Sequence, residues 1–143
     1  MGFSIEENHP FHRISERFLA HVEHPCNMGD LKQADGRATG VGTCGDAIEV
    51  QLKVDGNILK EIKHLPHGCL YTIACASAMT CLAKGRPLDQ ALKLTPADVA
   101  AELGGLPEDH QHCAALAINT LGEAIDDYLQ KLWGRSPAKP EEN

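Results

Sequence analysis

The stretch AIEVQLKVDGNILKEIKHL, residues 47–65, alternates, turns and alternates again. Ile48, Val50, Leu52 and Val54 fall on one side of an extended chain, with Glu49, Gln51 and Lys53 on the other. Successive side chains of a strand point to opposite faces, so this is the pattern of a half-buried strand. Asp55-Gly56-Asn57 reads as a hairpin turn, because glycine and asparagine accept the positive φ that a tight turn needs. The return strand sets Ile58, Lys60, Ile62 and His64 against Leu59, Glu61, Lys63 and Leu65. Its alternation is poorer, and it places His64 on the exposed face.

Helical patterns surround this hairpin. ISERFLAHVEH, from Ile14, brings Ile14, Phe18, Leu19 and Val22 round at helical spacing and stops before Pro25. Beyond the break at Pro66-His67-Gly68, LYTIACASAMTCLAKG reads as a helix of small and apolar residues, buried on most sides and ending at Gly85. PLDQALKL gives a short helix. Thr95-Pro96-Ala97-Asp98 combines a cap, a proline at the first position and an acid in the first turn, the signature of a helix start. A last helix runs from about Cys113 to Leu132, with Leu116, Leu121, Ile125, Leu129 and Leu132 in one stripe. Segregated strands and helices predict an α+β fold, a small antiparallel sheet with helices on one face.

The bulk properties bound the function. A chain of 143 residues with 43% apolar content supports one domain and one core, and the few aromatics make that core aliphatic. The net charge of -7, without a basic cluster, excludes nucleic acid as a partner. No apolar run approaches the ~18 residues of a membrane span. The start MGFSIEENHPF lacks a signal pattern, and Glu6 stands where a myristoylation motif needs Ser or Thr. The expected location is the cytoplasm, where the six cysteines are thiols or metal ligands rather than disulfides. Residues 1–13 are expected to be loosely ordered, residues 14–133 to form the domain, and the polar tail 134–143 to be disordered.

Three cysteines stand at element boundaries: Cys44 in TCGD before a strand, Cys69 in HGC before a helix, and Cys113 in HC at the last helix. Cys75 and Cys81 are six residues apart. That step rotates about 240° round a helix, so the pair reads as small buried hydrophobes. Cys26 reads as a bystander, and His21 and His24 as surface or core-edge residues. At a helix N-terminus the exposed N–H groups lower a thiol pKa, a placement shared by Cys69 and Cys113. In an extended chain Asp46 points the same way as Cys44. His112 adds an imidazole beside Cys113, and His67 and His110 stand close enough to join. Cys44, Asp46, Cys69, His112 and Cys113 suit zinc or an iron–sulfur cluster. Spacing alone leaves three readings open: a shared thiol and metal site, a Cys–His enzyme, or unconnected thiols.

HVEHPCNMG at 21–29, GVGTCGDAIEVQLKV at 40–54, HGC at 67–69, AKGRPLDQAL at 83–92, TPADVAAEL at 95–103 and HCAALA at 112–117 come in fixed order. Together they resemble the iron–sulfur cluster assembly scaffolds of the IscU type, also found as the N-terminal domain of NifU. The resemblance implies a three-stranded antiparallel sheet packed by helices. It implies a non-enzymatic scaffold that takes sulfur from a cysteine desulfurase, builds a labile [2Fe–2S] cluster with iron, and passes it to apo iron–sulfur proteins. An electron-donating ferredoxin fits that scheme, and zinc occupies such sites in isolated proteins. Carried over by motif, Cys44, Cys69 and Cys113 are the thiolate ligands, Asp46 the labile carboxylate, and His112 an alternative ligand. Cys113 is also the sulfur acceptor.

Two departures from the family pattern stand out. CLYTIACAS replaces a Gly/Ser-rich stretch, so Leu70 and Tyr71 are expected to cover the site. LPEDH replaces a chaperone loop reading like LPPVK, which weighs against an Hsp70-type chaperone as partner. The alternative function is a zinc-bound sulfur acceptor of the SufU type that stimulates a desulfurase. That subgroup has an insertion before its last cysteine and lacks the preceding histidine, whereas this chain has His112 and no insertion. A thiol enzyme using Cys113 and His112 is the third reading.

Overall fold

Gly56 and Asn57 make the hairpin turn, and both have positive φ, 60° and 64°. Two such residues in succession give the turn whose twist matches that of paired strands. In the computed structural model, which describes residues 15–134, this turn joins β2 (Ala47–Asp55) to β3 (Ile58–His67). β1 (Gly36–Val41) pairs antiparallel with the other side of β2, giving the order β1-β2-β3. The expected loose start at 1–13 and most of the tail at 134–143 lie outside the described residues.

Ile48, Val50 and Leu52 are fully buried, as their alternation predicts. β3 differs from the simple reading. Its register jumps at Lys53/Val54: Glu61 pairs with Lys53 and Leu59 with Val54, which leaves Lys60 as a bulge. The extra residue puts Leu59 on the same buried face as Ile62 and His64, and this explains the poor alternation. His64 is therefore not exposed; its exposure is 0%.

The free edge of β3 is closed by two loops. The His64 backbone N–H donates to the Asn27 carbonyl and its carbonyl accepts from Gly29, while the Leu59 backbone exchanges bonds with Gly85 and Arg86. These contacts satisfy an edge that would otherwise pair with another chain. The chain then leads to β1, and the Leu31 N–H donates to Gln51, whose amide donates to Asp30 and Glu49. Gln51 is buried on the polar face for that reason.

Among the described residues, five α-helices complete the fold: α1 (Glu16–Glu23), α2 (Leu70–Ala83), α3 (Leu88–Ala91), α4 (Pro96–Glu102) and α5 (Gln111–Gly134). Ser15 caps α1 by accepting from the Phe18 N–H, and Thr95 and Asp98 form a reciprocal capping box on α4. α2 is buried along most of its length, and with α5 it covers one face of the sheet. α5 begins two residues earlier than the sequence predicts, behind a 3-10 turn at Glu108–His110. Its stripe is buried at Leu116, Leu121 and Ile125 but exposed by Leu132.

α5 lies directly against β1. A Cβ on Gly36 would stand 2.5 Å from the Ala124 carbonyl oxygen and 2.9 Å from the Tyr128 Cβ. The glycines of GRATGV thus serve close packing. Gly36→Ala should cost about 1–3 kcal/mol, measurable as a lower urea midpoint; an unchanged midpoint would show that α5 yields freely.

His64 supplies a pH dependence. Its Nε2 donates to the Cys26 carbonyl at 2.9 Å, and its Nδ1 has no partner among the described residues. Burial lowers its pKa from 6.5 to about 4, against the pull of the Cys26 carbonyl and with help from Lys63. The unfolded imidazole takes its proton below 6.5 and the folded one only near 4. The stabilisation is therefore full above that window and is lost as the pH falls through it. Urea unfolding of the reduced protein should lose about 2 kcal/mol from this group between pH 7 and pH 5. His64→Gln should flatten that part of the profile, whereas parallel profiles would contradict the assignment.

Candidate functional site

The connection between β1 and β2 is a tight loop. The Gly42 N–H donates to the Asp46 carbonyl at 2.7 Å and the Gly45 N–H to that of Gly42 at 3.1 Å. Gly45 has φ +85°, which glycine alone adopts cheaply. The backbone is therefore not extended here, yet Cys44 and Asp46 both reach His112. Cys44 is exposed, while Asp46 is 8% exposed.

Inside, Asp46 Oδ2 accepts from the Thr72 hydroxyl at 3.0 Å. Thr72 sits in the first turn of α2, 3.7 Å from Cys69 Sγ and 3.9 Å from Cys113 Sγ. This threonine binds the carboxylate and touches both thiols, and the sequence reading missed it. Its only signal was a polar residue three positions after Cys69 in an otherwise small and apolar helix.

Cys113 lies in the first turn of α5 and is fully buried. His112 Nε2 stands 3.6 Å from Cys113 Sγ and 3.6 Å from Cys44 Sγ, so one imidazole bridges the inner thiol to the outer one. His110 also belongs here. It stacks on Tyr71 at 3.7 Å between ring centroids, and Tyr71 in turn packs on Phe18. Tyr71 thus holds a histidine beside the site, while Leu70 is exposed.

Two overlapping groups have the spacing of metal ligands: Cys69, His110 and Cys113, and Asp46, His112 and Cys113, each with ligand atoms within 4.8 Å of one another. Cys113 is common to both. Cys44 joins only through His112, and the exposed His67 belongs to neither group. Among the described residues, Asp46 Oδ1 and His110 Nδ1 are buried without a hydrogen-bond partner. Buried polar atoms are ordinarily paired. Thiols, imidazoles and a carboxylate at this spacing make a donor set suited to a thiophilic metal or cluster.

The thiols differ in acidity. For Cys69 burial opposes ionisation, but the Thr72 and Tyr71 N–H groups and the Thr72 hydroxyl outweigh it, and the pKa falls below the ordinary value. Cys113 goes the other way: burial pushes its thiol up to about 11, with Cys69 and Asp46 adding to the rise against Thr72. The lowering expected at a helix start holds for Cys69 and is overruled by burial at Cys113. Cys75 is buried in the core, and its thiol is pushed up further.

A three-stranded antiparallel sheet with such a cluster at its helix-covered end defines a class, that of small α+β domains carrying grouped thiols, imidazoles and a carboxylate. The family model for the NifU-like N terminal domain matches residues 13–133, and this chain belongs to that family. It is 41% identical over 118 residues to the iron-sulfur cluster assembly scaffold protein IscU 1 of Archaeoglobus fulgidus, covering 82% of this chain and 77% of the relative. A relative from Aquifex aeolicus, also described as an IscU scaffold protein, is 39% identical over 120 residues, covering 82% and 76%. Among solved structures, the N-terminal NifU-like protein of Brucella abortus superposes with a TM-score of 0.67 at 19% identity, over 85% of this chain and 97% of that one.

In reduced, metal-free protein at neutral pH, iodoacetamide should modify Cys69 at least about tenfold faster than Cys113, because the thiolate is the nucleophile. Peptide mass spectrometry at short times measures both. Equal rates would contradict the site's geometry.

Proposed function

We propose that this chain is a scaffold on which a labile [2Fe–2S] cluster is assembled from iron and desulfurase-derived sulfur and then passed to apo-proteins. The observation that carries the proposal is the gathering of Asp46, His112 and Cys113, and of Cys69, His110 and Cys113, at ligand spacing around one buried thiol. Family membership and the scaffold names of the relatives support the same reading.

In this scheme Cys44, Cys69 and Cys113 supply thiolates, Asp46 the exchangeable oxygen ligand, and His112 an alternative nitrogen. A permanent cluster is held by four thiolates; three thiolates with an oxygen or nitrogen hold one less firmly, which suits delivery. Cys113 is the sulfur acceptor. His112 takes its proton, and the thiolate attacks the outer sulfur of a desulfurase persulfide. That S–S bond breaks, the desulfurase thiol leaves, and the persulfide remains on Cys113. Reducing it to sulfide takes two electrons, the part of an electron-donating ferredoxin. Gly104 and Gly105, with φ +79° and +113°, precede the segment that carries His110 and His112 and give it a pivot for exposing Cys113. The exposed acids Glu108 and Asp109 weigh against delivery through an Hsp70-type chaperone.

The test is anaerobic reconstitution of the full chain with iron and sulfide, followed by absorption spectroscopy and metal and sulfide analysis. Cys44→Ser, Cys69→Ser and Cys113→Ser should each prevent a stable coloured species. Retention of the native spectrum by all three would overturn the ligand assignment. Desulfurase stimulation with zinc retained and no cluster formed would favour the SufU-type acceptor.

A further inference from the structure

A second group of ligand atoms lies away from the assembly site. The side chains of His21, Cys26 and Cys81 bring one ligand atom each to within 4.8 Å of one another. They come from α1, from the loop that follows it, and from the C-terminal half of α2. Cys81 stands twelve residues beyond Cys69, about 18 Å further along the helix axis. None of the three takes part in the site described above. Cys81 was expected to be a small buried hydrophobe, but it is exposed.

The surroundings hold these side chains in place. His21 is 8% exposed, its Nε2 lies 3.2 Å from a Glu102 carboxylate oxygen, and its Nδ1 lies 2.7 Å from the Ser77 hydroxyl. A carboxylate only accepts, so Nε2 carries the proton and Nδ1 is the basic nitrogen. Metal-binding histidines are oriented in this way, with the outer N–H on a carboxylate. Ser77 also accepts from the Cys26 N–H at 2.8 Å, and His64 Nε2 donates to the Cys26 carbonyl at 2.9 Å. Asn27, which follows, has φ 59° and donates to Thr80. The loop is therefore pinned to α2 with the Cys26 side chain beside Cys81.

We propose that His21, Cys26 and Cys81 form a second metal site, specific for a zinc-class divalent cation. Two thiolates and one imidazole are the borderline-soft set that such cations prefer, and a tetrahedral ion needs one more ligand. Water reaches that position because Cys81 is exposed and Cys26 half-buried; Glu102 stays on His21 Nε2 and orients the ring. On binding, the two thiols lose their protons to solvent, the Ser77 hydroxyl turns its proton away from His21 Nδ1, and the cation bonds that nitrogen and both sulfurs, with no change of oxidation state. The site is structural. It ties α1 and the loop at 24–29 to α2, independently of cluster assembly at the other end of that helix.

Cobalt(II) is the probe, because thiolate–cobalt charge-transfer and intense tetrahedral d–d bands report its ligands. The full chain carrying Cys44→Ala, Cys69→Ala and Cys113→Ala, reduced and stripped of metal, should bind about one equivalent with both bands, and zinc should displace it. Adding Cys81→Ser should weaken binding at least about tenfold and remove much of the charge-transfer band. In the otherwise native chain, Cys81→Ser should lower bound cobalt by about one equivalent, a comparison independent of the triple variant's folding. That single variant should still assemble an iron–sulfur cluster, which separates this site from the first. Absence of a thiolate band in the folded triple variant would overturn the proposal, and so would bands and stoichiometry unchanged by Cys81→Ser.

Discussion

The site depends on how closely α5 lies against β1. Gly36 and Gly40 leave that strand without side chains where the helix crosses it, and Thr120 and Leu116 fill the space at Gly40. Gly42 extends the same contact to the loop, where a Cβ would meet Asp46 Oδ1 at 2.5 Å. The helix therefore starts at the level of the β1–β2 loop. Its first turn brings His112 and Cys113 against Asp46, while the start of α2 brings Cys69 and Thr72 from the side. Close packing transmits small volume changes, so an added methyl under α5 displaces ligands as well as core.

The donors divide by how firmly they are held. Cys69 is the exposed N-cap of α2 and Thr72 lies in its first turn, while Asp46 is held by Thr72 and by the Gly42 bond. Cys44 stands in solvent on a glycine-rich turn, and the histidines follow two glycines in left-handed backbone. Cys113 is common to both ligand groups but is buried and reluctant to ionise alone. A cation or an arriving sulfur species would supply the driving force for its deprotonation. The site thus joins buried donors, Asp46 and Cys113, to exposed ones, Cys44 and Cys69.

The hairpin was legible because its alternation and its Gly-Asn turn obey local rules. α4 was legible from its Thr-Pro-x-Asp start. β1 was not: GRATGV carries too few apolar side chains to read as a strand, and its glycines answer to α5, far away in the chain. His64 was misplaced because a bulge at Lys60 changes which residues share a face, and the loop at 27–29 then covers it. At the assembly site the boundary cysteines, Asp46 and His112 could be picked out one by one from their placement. Thr72 and the stacking of His110 on Tyr71 could not, since they arise where α2 meets the segment before α5. The contact of Cys26 with Cys81 escaped for the same reason; helical spacing compares residues within one helix only.

The claim that the chain holds a cluster in order to give it away is tested most directly by transfer. Cluster-loaded protein is mixed anaerobically with an apo-ferredoxin, with a strong iron chelator present, and the circular dichroism of the ferredoxin is followed. The account predicts ferredoxin maturation faster than with equal free iron and sulfide, and largely insensitive to the chelator. Maturation no faster than with the free ions, or abolished by the chelator, would contradict it.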